Sequence, residues 1–110
     1  LFGQDGDDSL NGGSGDDTLD GGAGLNGLVG SDGIDRIDLV LLSVVNITLT
    51  NSALTLDGVS TTFNTIEAFK LTAGPQNNVI DASLYTSGPV TLIGGDGDDT
   101  LKGGTGADNI

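Results

Sequence analysis

Gly12-Gly13-Ser14-Gly15-Asp16-Asp17-Thr18-Leu19-Asp20 is the stretch on which the reading of this chain turns. The nine residues before it, Gly3-Gln4-Asp5-Gly6-Asp7-Asp8-Ser9-Leu10-Asn11, share its outline, and so do residues 21–29 and 30–38. The outline returns at residues 94–102 and starts once more at 103–110. Positions 1 and 4 are Gly in all six blocks, position 6 is Asp in five and Asn in one, and position 8 is Leu or Ile throughout. Four columns held at one short period mark a repeat architecture, not a Gly-rich linker.

The composition around this repeat excludes much. The chain has 110 residues, 16 acids against three Lys and Arg, and a net charge of −13. All the acids but Glu67 are Asp. With no Cys or His, it offers no disulfide, no thiol or Ser-His nucleophile and no imidazole or thiolate metal ligand. Three cations make no footprint for nucleic acid or an anionic membrane. The longest largely apolar run, residues 39–45 with Ser43 inside it, is too short to span a bilayer. The chain opens on Leu1, without a leader pattern, and reads as a segment of a longer protein.

Each nonapeptide predicts six residues of turn and three of short strand. So tight a turn needs positive φ, which Gly adopts at least cost, and this accounts for positions 1, 2 and 4. Position 8 points inward, so Leu10, Leu19, Leu28, Ile37, Leu101 and Ile110 are the expected core column. One Leu or Ile per nine residues stabilises by roughly 1.5–3 kcal/mol, against about 1–2 kcal/mol of backbone entropy for each residue ordered. Stacked turns would also bring carboxylates together. A cation must offset both, and a donor set of carboxylate and carbonyl oxygens alone selects Ca²⁺ over softer metals. An EF-hand is excluded, because Asp5-Gly6-Asp7 has no Glu at the twelfth loop position and no flanking helices.

The formula G-G-x-G-x-D-x-U-x resembles the nonapeptide of the RTX (repeats-in-toxin) family. The resemblance implies an all-β fold, a parallel β-roll or β-solenoid with Gly-Asp calcium-binding turns. It implies several Ca²⁺ ions, each between loops eighteen residues apart. The position-6 side chains would hold them: Asp8, Asp17, Asn26, Asp35, Asp99 and Asp108. Loop groups at positions 1, 3 and 4 would join them: Gly3, Asp5, Gly6, Gly12, Gly15, Gly30, Asp32, Gly33, Gly94, Asp96 and Gly97. Asp17 with Asp35 is the best pair. Asp8 with Asn26 is weaker, and Asp99 and Asp108 have next same-side partners only beyond Ile110. Leu25 and Ile34 at position 5 suggest that the metal run fades toward residue 38.

Three sections follow: repeats over 1–38, a middle over 39–93, and repeats again over 94–110. The middle is rich in β-branched residues, with Val45, Ile47 and Leu49 alternating with polar residues as in a strand. Asp57-Gly58 reads as a turn. Residues 73–81 form a degraded nonapeptide with Asn78 at position 6. The favoured reading is strands that continue the coil with a wider apolar core and little metal; the alternative is an antiparallel hairpin insertion. Glu67 reads as a solvated strand residue.

No catalytic constellation stands out, so the segment is not expected to be an enzyme. The resemblance implies a bacterial protein exported by type I secretion, extracellular or on the cell surface, that folds when it meets calcium. Its expected role is structural, adhesive or fibril-forming, with self-association end to end through open edges. The alternative is an accessory module of a secreted enzyme or pore-forming toxin.

Overall fold

The computed structural model describes residues 1–22, 24–41 and 45–104. Eleven strands run in the order β1 (Ser9–Ser14), β2 (Thr18–Leu19), β3 (Gly27–Asp32), β4 (Arg36–Leu41), β5 (Asn46–Leu49), β6 (Ala53–Leu56), β7 (Val59–Asn64), β8 (Ala68–Ala73), β9 (Val79–Asp81), β10 (Val90–Ile93) and β11 (Thr100–Lys102). No helix occurs among the described residues. The strands form two sheets, one of seven in the order β1-β3-β7-β6-β5-β9-β11 and one of four in the order β10-β8-β4-β2. The all-β architecture, with mostly parallel pairing, is consistent with a β-roll. Several strands are longer than the expected three residues: β1, β3 and β4 each have six.

The nonapeptide period sets the register. Ser9 pairs with Gly27 and Leu10 with Leu28 in the larger sheet, while Leu19 pairs with Ile37 in the smaller. Position 8 therefore stacks on position 8 two repeats later. The column runs on past the repeats: Leu28 pairs with Phe63, Ile37 with Phe69, and Phe69 with Val90. Leu19, Leu28, Ile37, Phe69 and Val90 are fully buried, whereas Leu10 and Leu101 pack against the core from partly buried positions. Ile110 lies outside the described residues.

The middle section combines both expectations. After β4 the chain skips ahead to β5, turns back through β6 and reaches β7, filling the gap between β3 and β5. β6 is antiparallel to both neighbours. The larger sheet runs unbroken through this section, with an antiparallel hairpin built into it. Asp57 and Gly58 carry φ of 47° and 89°, the sign required at both central residues of a two-residue hairpin turn. The Asp57 carboxylate also accepts the Asn46 N–H at 2.7 Å, tying the turn to the start of β5. In the core beside this meander, Phe63, Phe69 and Tyr85 pack edge to face, with centroids 4.8, 5.0 and 6.5 Å apart.

Candidate metal centre

The glycine columns have two different causes. Position 2 has positive φ in the first five repeats: Gln4 76°, Gly13 90°, Gly22 71°, Ser31 83° and Gly95 81°. Position 4 does too, from 102° at Gly97 to 125° at Gly33. Position 1 does not, which corrects the expectation from turn geometry. There the requirement is space. A Cβ on Gly3 would lie 2.6 Å from both Asp8 Oδ2 and the Gly21 carbonyl oxygen. A Cβ on Gly12 would lie 2.7 Å from Asp17 Oδ2 and 2.9 Å from the Gly30 oxygen. On Gly30 it would collide with Asp35 Oδ2 and the Thr65 oxygen. Gly3, Gly12 and Gly30 each leave room for a cradle between their own repeat's carboxylate and a carbonyl of the next stacked loop.

The position-6 side chains form the ladder that the spacing predicts. The Asp17 N–H donates to Asp35 Oδ1 at 2.8 Å, and the Asp8 N–H to Asn26 Oδ1 at 2.8 Å. The Asp35 N–H donates to Glu67 Oε2 at 2.9 Å, and the Asn78 N–H to Asp99 Oδ1 at 2.8 Å. Position 5 forms a second ladder of opposite sense. Asp7 Oδ1 accepts from the Leu25 N–H and Asp16 Oδ1 from the Ile34 N–H, both at 2.9 Å. Leu25 and Ile34 contribute only backbone here, and their side chains are exposed.

The ladder satisfies Oδ1 of Asp35 and leaves its Oδ2 without a donor. Asp8 Oδ2, Asp17 Oδ2 and Asp35 Oδ2 are buried and have no hydrogen-bond partner. Asp35 as a whole is fully buried. A buried charge without a partner is costly, so these atoms call for a cation. Among the described residues the one ion pair joins Arg36 to Asp38 at 3.7 Å, so no Lys or Arg supplies it. No group of three or more acidic side chains converges among the described residues. An ion here would be bound by one or two carboxylates with backbone carbonyls, an all-oxygen set that fits Ca²⁺. The residues present therefore fit the metal.

Two places in the ladder carry an amide instead of a carboxylate. Asn26 is 3 % exposed, and its Nδ2 donates to the Gly22 oxygen at 3.2 Å. Asn78 is fully buried, and its Nδ2 lies among four oxygens: Gln76 O at 2.8 Å, Gly74 O at 3.0 Å, Asp99 Oδ1 at 3.2 Å and Gly94 O at 3.3 Å. An amide donor occupies the place of a cation.

Other residues differ from expectation. Asp99 stacks on the preceding loop through Asn78, twenty-one residues earlier. Asp108 lies outside the described residues. Asp5, Asp32 and Asp96 are exposed and stand off both ladders. Gly6, Gly15, Gly33 and Gly97 are the positive-φ position-4 residues, and Gly94 crowds Asp99 as Gly12 crowds Asp17. Glu67 is not a solvated strand residue: it is half-buried, precedes β8 and forms the third rung on Asp17 and Asp35. The sequence signal for it is faint, since its loop lacks glycine and sits thirty-two residues from Asp35.

No helix among the described residues is long and apolar enough to cross a membrane. No curated protein and no solved structure matches the chain. A family model does match, the RTX calcium-binding nonapeptide repeat, in four copies over residues 2–37 and 86–110. RTX nonapeptide repeats bind Ca²⁺, secretion by the type I route is typical of the bacterial proteins that carry them, and no catalytic family is indicated. With more than half of its length matched, and with the period, the glycine cradles and the position-6 ladder all in place, this chain belongs to the RTX calcium-binding repeat family.

Proposed function

We propose that this chain is a calcium-stabilised structural segment of a bacterial protein that acts outside the cell or on its surface, and that calcium completes its fold after export. The observation that carries this reading is the set of buried, unpartnered Oδ2 atoms of Asp8, Asp17 and Asp35. Each faces a carbonyl oxygen of the next loop across a glycine. Asp17 and Asp35 would hold one ion with the Gly30 carbonyl, and Asp8 would hold another with the Gly21 carbonyl.

The energetics favour a switch. A ligand that binds only the folded state stabilises it by RT ln(1 + [L]/Kd). Extracellular sites with Kd of about 10⁻⁴–10⁻³ M contribute about 0.4–1.4 kcal/mol each at roughly millimolar calcium. At cytosolic calcium the same sites contribute almost nothing. The net charge of −13 then keeps the chain expanded, a state suited to a narrow export channel. Outside the cell the ions neutralise the carboxylates and the strands pair.

The structural and adhesive role rests on the repeat design. The described fold presents extended sheet faces and no convergent reactive groups. End-to-end stacking of copies belongs to the same reading, since β1 is the outermost strand of the larger sheet and its outer edge offers backbone groups for pairing, although residues 1–3 cover the edge of β2. The test is far-UV circular dichroism in chelator and then across a calcium titration, with sedimentation velocity on the same samples. A cooperative gain of β signal at 0.1–1 mM calcium (an order-of-magnitude range) supports the reading. A β spectrum already complete in chelator and unchanged by calcium overturns it.

A further inference from the structure

We infer that Asp35 and Glu67 form a calcium site of their own, one step beyond the last nonapeptide of the first repeat block. The inference rests on the calcium reading above and extends it to a residue outside the repeat formula. Three observations carry it.

The first is register. Arg36 pairs with Ala68, which places Asp35 opposite Glu67, just as pairing of Thr18 with Arg36 places Asp17 opposite Asp35. The backbone confirms the equivalence. The Arg36 N–H donates to the Asp17 carbonyl at 2.9 Å, and the Ala68 N–H to the Asp35 carbonyl at 3.1 Å. Glu67 thus stands in the position-6 column although its own loop is not a nonapeptide.

The second is the cradle. Asp17 Oδ2 faces the Gly30 oxygen across Gly12, and Asp35 Oδ2 faces the Thr65 oxygen across Gly30 in the same manner. Thr65 turns its carbonyl there from a backbone with φ of 53°, a conformation uncommon for a Thr. Its hydroxyl accepts the Ser31 N–H at 2.7 Å, which fixes this loop to the repeat below it. Gly88, from the following loop, packs so closely on the Glu67 carbonyl that a Cβ has no room.

The third is the uncompensated charge. Asp35 is fully buried, and its Oδ2 has no partner. Glu67 receives the Asp35 N–H on Oε2, which leaves its second oxygen for a ligand. Neither carboxylate is paired with Lys or Arg. Two carboxylates and a carbonyl call for a hard divalent cation. Bound here, the ion fastens the repeat block to β8 and so to Phe69 and the aromatic core.

The structure supplies its own reporter. Tyr85 is the sole tyrosine, there is no Trp, and the Tyr85 hydroxyl donates to the Ile66 carbonyl at 3.0 Å, one residue from Glu67. Terbium, a luminescent stand-in for calcium, should therefore emit under tyrosine excitation when it fills this site. The substitution is Glu67→Gln, which keeps an oxygen for the Asp35 N–H and removes the charge. The wild-type chain should give strong tyrosine-sensitised terbium emission. Glu67→Gln should lose at least tenfold of it and bind one calcium fewer by equilibrium dialysis, with an unchanged β spectrum at saturating calcium. Equal emission and equal stoichiometry in the variant overturn the inference while leaving the repeat sites intact. A wild-type chain that binds calcium without sensitised terbium emission also overturns it, however the variant folds. Absence of any bound calcium overturns the functional reading as well.

Discussion

Replacing Asp35 by Asn should stabilise the fold more without calcium than with it. In the calcium-free chain Asp35 is fully buried, with Oδ1 accepting the Asp17 N–H and Oδ2 facing the Thr65 carbonyl without a donor between them. An unsatisfied buried polar group costs about 1–3 kcal/mol, and more if charged. An amide there would keep Oδ1 and turn Nδ2 toward a carbonyl, the arrangement already present where Asn26 donates to Gly22 at 3.2 Å. That hydrogen bond adds about 0.5–1.5 kcal/mol. Asp35→Asn should therefore stabilise the calcium-free fold by about 2–4 kcal/mol, raising the folded-to-unfolded ratio roughly 30- to 700-fold. Near millimolar calcium the variant forgoes the contribution of at least one site, about 0.4–1.4 kcal/mol, so its advantage over wild type shrinks by that much. The assay is urea unfolding followed by far-UV circular dichroism in chelator and in calcium. A sucrose series can bring a weakly folded chelated state onto scale. A variant no more stable than wild type in chelator would refute the reasoning, because Oδ2 would then carry no uncompensated charge.

Three further outcomes follow from the same geometry. Asn78→Asp puts a carboxylate oxygen among the Gly74, Gln76, Gly94 and Asp99 oxygens, so it should cost about 2–4 kcal/mol in chelator and recover about 0.4–1.4 kcal/mol of that near millimolar calcium; thermal unfolding at two calcium levels reads the difference. Phe69→Ala empties a site packed against Phe63 and Tyr85 and should destabilise the calcium-loaded fold by about 3–5 kcal/mol, as measured by urea unfolding in calcium. Burial first, and then the charge of Glu67, push the Tyr85 hydroxyl up to about 12 from its ordinary 10. The unfolded chain releases this proton first, so the stabilisation is complete below pH 10 and is lost as pH rises toward 12. Tyrosinate absorbance should accordingly rise near pH 12 in the folded chain, and an ordinary titration near 10 would contradict the buried placement.

The repeat half of this fold was legible because its physics is local and periodic. Gly6 and Gly15 mark backbone angles that other residues resist, and Leu19 and Ile37 show by spacing alone that they stack. The pairing of Asp17 with Asp35 follows from the same arithmetic. Two things escaped that arithmetic. The Asp57-Gly58 turn was visible, but nothing local says that β5 skips two strand positions before the chain folds back, since that order is decided by long-range pairing. The detour shifts the next rung of the column to Glu67, in a loop without glycine, where no period points. Position 1 was assigned to the right residue for the wrong reason, because steric approach by a carboxylate from the same repeat leaves no trace in turn propensities.

The most direct test of the account is a high-resolution crystal structure grown from calcium, with anomalous scattering used to locate the ions. The account predicts a peak bounded by Asp17 Oδ2 and the Gly30 carbonyl, with a second beside Asp8 Oδ2 and the Gly21 carbonyl. Well-ordered carboxylates at Asp8 and Asp17 with no ion between the stacked loops would contradict it.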